Sequence, residues 1–207
     1  MKSYNIRNYV FIALFAALFV VMSAISFKLS FSPVPITLQT LAVCLAGLFL
    51  GARNGFLSML LILVLTAIGL PLLNGRGGLS ILFGTTGGFL FGFLFSALLI
   101  GLATGPLLRS KTWIGGKIAT FILLFIIMEA LGSFVAYLFG VPWMMQVLDV
   151  SLQKALTLGC YPFLIGDALK SLVAAAIGVS LKPYILKLRA STGALPVRSE
   201  TGVASHP

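Results

Sequence analysis

The chain has 207 residues, of which 59% are hydrophobic and only 9% are charged, and its formal net charge at pH 7 is +10. Soluble domains carry roughly 25% charged residues, so this composition excludes an ordinary water-soluble domain and predicts a surface that faces lipid. The basic residues stand singly between apolar blocks rather than along one stripe, which excludes the pattern typical of nucleic-acid-binding proteins.

Six apolar stretches are predicted to cross the membrane, because a spanning helix needs about 20 mostly apolar residues. In chain order they cover about 9–27, 36–50, 55–70, 87–107, 117–139 and 161–181. The first follows Lys2 and Arg7, as the apolar part of a signal peptide would. It is longer than the 7–15 residues of such a segment, so we predict that it is retained as a helix.

The basic residues also predict an orientation. If the N-terminus lies inside, most of the 14 Lys and Arg residues fall in the inner segments, as the positive-inside rule requires. The chain is therefore predicted to be an all-α, multi-pass protein of the cell membrane with both termini in the cytoplasm. Residues 1–189 would form one six-helix transmembrane substrate-binding domain, and residues 190–207, which are rich in Ser, Thr, Gly and Pro, would form a disordered cytoplasmic tail.

The outer connections are unusual in length and composition. Residues 28–35 contain two prolines, residues 71–86 contain four glycines, and residues 140–160 have room for a short amphipathic helix. Because binding residues are often carried by loops on a rigid scaffold, these connections predict a binding surface that faces outward.

Two opposite charges, Asp167 and Lys170, lie inside the sixth predicted span. Each costs about 2.5–3.5 kcal/mol near the centre of a membrane helix, so such residues are candidates for function. Residues three apart share a helix face, and this pair lies about 9–14 Å from the outer end of the span at 1.5 Å per residue. A carboxylate and an ammonium together suit a polar ligand that offers both N–H donors and an oxygen acceptor. The alternative is an ion pair that only stabilises helix packing.

For other polar and small residues in the spans, the sequence does not decide between a structural and a functional role. Glu129 is a second charge inside the membrane, with structural and functional interpretations about equally supported. Thr37 and Gln39, at the start of the second span, could cap a helix or face a ligand. Ala13 and Ala17 put small residues on one face of the first span, where another helix can approach closely.

Several chemistries are excluded by what the sequence lacks. Its one histidine, His206, lies in the polar tail, and Cys44 and Cys160 have no metal-site spacing, so both are interpreted as small packed hydrophobes. The glycine-rich segment 75–88 does not match G-x-x-x-x-G-K-[ST], and no strand precedes it. We therefore predict no metal, no other cofactor and no ATPase within this chain.

A set of motifs, in this order and spacing, closely resembles the BioY family, the biotin-binding S components of energy-coupling factor (ECF) transporters. The resemblance covers about residues 9–182. It is carried by 31–40 (FSPVPITLQT), Gly69-Leu70-Pro71, Gly77-Gly78, Gly87-Gly88 and 163–170 (FLIGDALK).

The resemblance implies a six-helix membrane subunit that captures biotin from the outside and is not an enzyme. It implies partners, namely a transmembrane coupling protein and two cytoplasmic ATPases that use the ATP. The coupling protein would meet the face of Ala13 and Ala17. The implied binding residues are Asp167, Lys170, Gln39, Arg76, Gly77 and Phe89, the last standing where the family usually has tyrosine.

Three alternative functions compete with a binding subunit of a transporter. A self-sufficient secondary transporter for biotin or another vitamin is the main alternative, although the six spans show no inverted repeat. A Ser/Lys hydrolase is disfavoured because Ser171, adjacent to Lys170 in sequence, points to a different helix face. A purely structural membrane protein would not need the buried charged pair.

Overall fold

The computed structural model describes residues 6–109 and 116–192, and these ranges are mostly helical, which confirms the all-α class. Two short strands pair antiparallel, β1 (Ser26–Phe27) with β2 (Ile36–Thr37). The helices are α1 (Ile6–Ala24), α2 (Gln39–Ala67), α3 (Leu79–Leu82), α4 (Gly87–Arg109), α5 (Gly116–Met128), α6 (Val135–Leu148), α7 (Leu152–Gly159), α8 (Leu164–Ser180) and α9 (Lys182–Ser191). A π-helical turn, Glu129–Phe134, joins α5 to α6, and a 3-10 turn, Tyr161–Phe163, precedes α8.

Within the described ranges, five helical stretches are long and apolar enough to cross a membrane: Ile6–Ala24, Gln39–Ala67, Gly87–Arg109, Gly116–Leu148 and Leu152–Ser180. Large apolar side chains such as Ile118 and Ile165 are more than three-quarters exposed on these stretches, as expected of surfaces that contact lipid. This confirms a multi-pass membrane protein. The count of six crossings and the cytoplasmic position of both termini stay predictions.

The predicted spans 36–50 and 55–70 both fall on α2, which is broken at Gly51. Gly51 has φ 77° and ψ −177°, a conformation that favours glycine. A Cβ placed on Gly55 would lie 3.2 Å from the Cα of Gly47, whereas residues eight apart in a straight helix are about 12 Å apart. The chain therefore folds back at Gly51, and the two arms of α2 lie side by side next to the break.

Helix α1 runs alongside the second arm of α2. Ser58 Oγ donates to the Ile12 carbonyl at 3.0 Å, and Asn8 Nδ2 donates to Asn54 Oδ1 at 3.4 Å. Since the two residue numbers differ by 46 in both contacts, the two helices run in the same direction. One end of the bundle thus holds the Gly51 break. The opposite end, here called the loop end, holds residues 25–38, 68–86 and 149–163.

Arg189 of α9 caps the first arm of α2 at its break. Its Nε donates to the Leu48 carbonyl at 2.9 Å, and its second terminal nitrogen donates to the Gly47 carbonyl at 2.8 Å and to Thr104 Oγ1 at 2.7 Å. The last carbonyls of a helix lack intrahelical partners, and a cation there is favourable. Arg189 is 1% exposed; burial and the nearby Arg109 lower its pKa to about 10, so it stays charged at neutral pH.

The connection predicted at 140–160 is more helical than expected. α6 continues to Leu148 despite Pro142, and the predicted short amphipathic helix is present as α7. The extension packs on the loop end through Trp143, whose Nε1 donates to the Gly84 carbonyl at 2.9 Å. The predicted tail starts at Ala190, whereas α9 ends at Ser191, and residues 193–207 lie outside the described residues.

Candidate binding cavity

A cavity of about 720 Å³ opens at the loop end, and its walls include residues drawn from 24–40, 73–93, 133–137 and 159–170. Five of the predicted binding residues line it: Gln39, Arg76, Phe89, Asp167 and Lys170. Gly77 is not among the lining residues. Its backbone packs so closely on the preceding loop that a Cβ would lie 2.2 Å from the Leu70 carbonyl oxygen.

Asp167 and Lys170 project from the first turns of α8 into the cavity wall. Lys170 Nζ donates to Asp167 Oδ1 at 2.5 Å and to the Thr37 carbonyl at 2.9 Å. The side chains are 6% and 11% exposed, respectively. The pair therefore does form the predicted ion pair, and it does so facing a cavity, so the packing and ligand-binding interpretations are compatible.

Tyr137 of α6 completes the charged cluster and was not identified from the sequence. Its hydroxyl donates to Asp167 Oδ2. The available signal was that Tyr137 is the one tyrosine in the predicted span 117–139. Its ring stands edge-on to the Phe89 ring, with centroids 6.4 Å apart and an interplanar angle of 87°. The hydroxyl that Phe89 lacks is thus supplied by its neighbour.

Thr37 and Gln39 bond to each other at the start of α2. Thr37 Oγ1 donates to Gln39 Oε1 at 3.0 Å, and the Gln39 N–H donates to Thr37 Oγ1 at 3.3 Å. Both residues line the cavity. They therefore bond to each other beside the helix start and face the cavity, and a contact of either residue with a ligand stays a prediction.

The charges that line the cavity are unbalanced. Lys28, Arg76 and Lys170 are opposed by one carboxylate, Asp167. Lys28 and Arg76 are exposed in the loops, whereas Asp167 is buried. The cavity thus has a buried end with a paired acid and base and an open end with excess positive charge, which suits a ligand that ends in an anion.

Glu129 lies next to this cluster but does not line the cavity. Ser171 Oγ donates to Glu129 Oε2 at 2.6 Å, and Ser133 Oγ donates to the same oxygen at 3.4 Å. The Ser171 hydroxyl is thus directed to Glu129 rather than to Lys170, as the sequence predicted from its helix position.

Ala13 and Ala17 are exposed on α1, whereas Ile12, Ala16 and Phe19 are buried against the bundle. The small residues therefore form a smooth strip on the side of α1 that faces away from the rest of the described protein. Such a strip leaves room for the close approach of another helix.

Comparison with known proteins identifies the family of this chain. The model of the BioY family matches residues 1–187. Similar curated proteins include the biotin transporter BioY of Rhizobium etli, 40% identical over 83% of this chain and 91% of that protein, and the biotin transporter BioY of Rhodobacter capsulatus, 39% identical over 86% and 94%. A crystal structure of the S-component for biotin from an ECF-type ABC transporter superposes with a TM-score of 0.75, at 27% identity, over 88% of this chain and 95% of that one. The chain belongs to the BioY family.

Proposed function

We propose that this chain is the membrane substrate-capture subunit for biotin uptake and that it binds biotin in the cavity at the loop end. The observation that carries this proposal is the polarity of the cavity. A paired acid and base, Asp167 and Lys170, stand at its buried end, and two further cations, Lys28 and Arg76, stand at its open end.

Biotin offers matching groups at its two ends. Its ureido ring has two N–H donors and a carbonyl acceptor, and its valerate chain ends in a carboxylate. Each oxygen of Asp167 accepts one hydrogen bond within the protein. A carboxylate has about four lone-pair sites, so lone pairs remain to accept from the ureido N–H groups. Lys170 makes two recorded hydrogen bonds and keeps a third N–H for the ureido carbonyl.

The middle and the open end of the cavity suit the rest of the ligand. Leu90 and Phe93 give the wall an apolar surface beside Phe89, against which the thioether ring and the chain would pack. Arg76 and Lys28 would hold the carboxylate through charge-assisted hydrogen bonds.

The subunit would deliver biotin together with an ATP-driven ECF module, made of a transmembrane coupling protein and two cytoplasmic ATPases. Ala13 and Ala17 would contact the coupling protein, because their strip of α1 is exposed. ATP would be used by the partner ATPases, and this chain would need no cofactor. In this arrangement the loop end faces the outside and the Gly51 break faces the cytoplasm.

Equilibrium titration of the purified protein in detergent tests the binding function. Biotin should bind saturably, one molecule per chain, whereas a biotin amide, which lacks the carboxylate, should bind more weakly. Absence of biotin binding to a folded preparation would contradict the proposal.

A self-sufficient secondary transporter is the second candidate, and Glu129 favours it. An ionisable side chain inside a membrane segment often belongs to an ion pathway, and this one lies outside the cavity. Biotin uptake measured with and without the ATPase module separates the candidates. Uptake without the module that is lost in Glu129→Gln, with biotin affinity retained, would support the second candidate over the first.

A further inference from the structure

Two cross-helix hydrogen bonds join the stretch Gly116–Leu148 to α8. Ser171 Oγ donates to Glu129 Oε2 at 2.6 Å, and the Tyr137 hydroxyl donates to Asp167 Oδ2. As residue numbers rise from Glu129 to Tyr137, those of their partners fall from Ser171 to Asp167, so the helices pair antiparallel. We call these two bonds the polar ladder.

The π-helical turn explains why both bonds of the polar ladder form. In an uninterrupted α-helix, Tyr137 would be rotated by about 80° from Glu129, because each step of four residues overshoots a full turn by about 40°. The turn begins at Glu129 and ends at Phe134, and its i→i+5 pattern accommodates one extra residue. That residue changes the rotation by about 100°, so Tyr137 is left within about 20° of Glu129. Both side chains consequently face α8.

The Tyr137–Asp167 bond of the polar ladder helps to fix the carboxylate of the charged pair. Lys170 holds Oδ1 of Asp167 at 2.5 Å, and Tyr137 holds Oδ2. With both oxygens held, Asp167 has one orientation before any ligand arrives. Such preorganisation raises affinity because the ordering cost is met in advance.

The Tyr137 hydroxyl is itself held in place by ring packing. The Tyr137 ring stands edge-on to Phe89 and also to Phe134, with centroids 6.0 Å apart and an interplanar angle of 90° in the second contact. The side chain is 8% exposed. The ring is therefore packed against α4 and the π-helical turn, and from there its hydroxyl reaches Asp167 on α8.

We propose that Tyr137 is a positioning residue for ligand binding, which acts through Asp167 by holding the carboxylate in its binding orientation. The inference rests on the proposed function and adds to it a residue from another helix. It also gives the π-helical turn a role, since that turn brings Tyr137 to Asp167.

A double-mutant cycle tests this inference. Biotin dissociation constants are measured for the parent protein, Tyr137→Phe, Asp167→Asn and the double variant, with the exposed Tyr161→Phe as a matched control. Tyr137→Phe should weaken binding by about tenfold or more, as loss of a hydrogen bond to a charged group does. In the Asp167→Asn background the same change should alter the dissociation constant by less than about twofold, because coupled residues are not additive.

A second variant separates positioning from general helix packing. Ser171→Ala removes the other bond of the polar ladder without touching Asp167, and it should leave affinity within about threefold of the parent, as expected of a change that spares the ligand-binding groups. Equal losses in Ser171→Ala and Tyr137→Phe, or additive losses in the cycle, would overturn the inference. If the parent binds biotin and Tyr137→Phe binds it equally well, the positioning role fails while the proposed function stands; if the folded parent binds none, the proposed function fails.

Discussion

Lys28 and Arg76 give the open end of the cavity its positive charge, and they differ from Lys170 in exposure. Lys170 is 11% exposed and bonded to Asp167, whereas Lys28 and Arg76 are exposed in loops. Exposed ion pairs are typically worth less than about 1 kcal/mol, whereas hydrogen bonds to buried charges are worth more. Most of the affinity is therefore expected from the buried end, with the loop cations selecting the anionic end of the ligand.

Substitution of Arg76 should affect only ligands that carry a carboxylate. Arg76→Gln is expected to weaken biotin binding by roughly fivefold, which corresponds to about 1 kcal/mol. Binding of biotin amide should change little, because that ligand has no charge to meet. Titration of both ligands against both proteins checks this, and equal losses for the two ligands would contradict a contact with the carboxylate.

The sequence predicts site contacts within one helix better than contacts between helices. The pairing of Asp167 with Lys170 follows from their spacing of three on one helix. Tyr137 could not be assigned to the site in the same way. Its contact with Asp167 depends on the phase that the π-helical turn gives to α6 and on the register of α6 against α8, and neither is encoded in a short motif.

At the scale of elements, the Gly51 break and Arg189 act together. The carbonyls of Gly47 and Leu48 lie in the last turn before the break, and the Arg189 guanidinium donates to both. One buried side chain thus links α9 to α2, and its bond to Thr104 adds α4. α9 is therefore more than an extension of α8, since it closes the end of the bundle that holds the break.

Removal of this cap should destabilise the fold while sparing the cavity. Arg189→Gln is expected to cost about 2–4 kcal/mol, because hydrogen bonds to a charged group are lost and buried carbonyls are left unpaired. Thermal unfolding in detergent should show a lower midpoint, with biotin affinity retained in the folded fraction. The exposed Lys187→Gln on the same helix is the control, and equal effects of the two changes would contradict the capping role.

The contribution of Arg189 to stability should not change with pH near neutrality. Burial lowers the pKa of Arg189 from 12.5 to about 10 in the folded protein. Only between these two pH values does the unfolded chain bind more protons at this residue than the folded chain, so only there does stability rise with pH. Below pH 10 both states are charged. From pH 6 to 9, the difference in unfolding midpoint between the parent and Arg189→Gln should therefore stay constant.

Some helices were predicted with accurate bounds and others were not. Apolar length alone located α1 and α4 within a few residues. It also placed the connection between the spans 36–50 and 55–70 at residues 51–54, where the chain does fold back. It did not show that Gly51 alone makes the turn, because a glycine with positive φ is not distinguishable in sequence from the other glycines. Nor did it extend α6 past Gly140 and Pro142, because that extension is supported by tertiary packing of Trp143 on the Gly84 segment.

At the scale of the whole molecule, α1 has one face that the rest of the described protein leaves uncovered. It packs along the second arm of α2, and Ala13 and Ala17 face outward. The cavity is built from the loop end, the start of α2, α4, α6 and α8, and α1 contributes only its last residue, Ala24, to the wall. The proposed ligand site and the proposed partner surface thus lie on different parts of the chain, and their functions should be separable by mutation.

Large residues on the α1 strip should block assembly but not ligand binding. Ala13→Leu with Ala17→Leu is expected to leave biotin affinity within about twofold, because neither residue lines the cavity and distant sites are usually independent. Co-purification with the coupling protein, and biotin uptake that depends on the module, should both be lost. Ala176→Leu, at another exposed alanine on α8, is the matched control; assembly that survives on the α1 variant would contradict the assigned interface.

The central claim is that biotin binds through the buried pair on α8, and titration of Asp167→Asn tests it most directly. The variant keeps the size of the side chain but removes the charge that accepts from Lys170 and Tyr137 and that is proposed to accept from the ureido N–H groups. Equilibrium titration with biotin should give a dissociation constant higher by about 10–150-fold, the equivalent of about 1.5–3 kcal/mol for a hydrogen bond to a charged group. An unchanged dissociation constant in a folded Asp167→Asn variant would contradict the account.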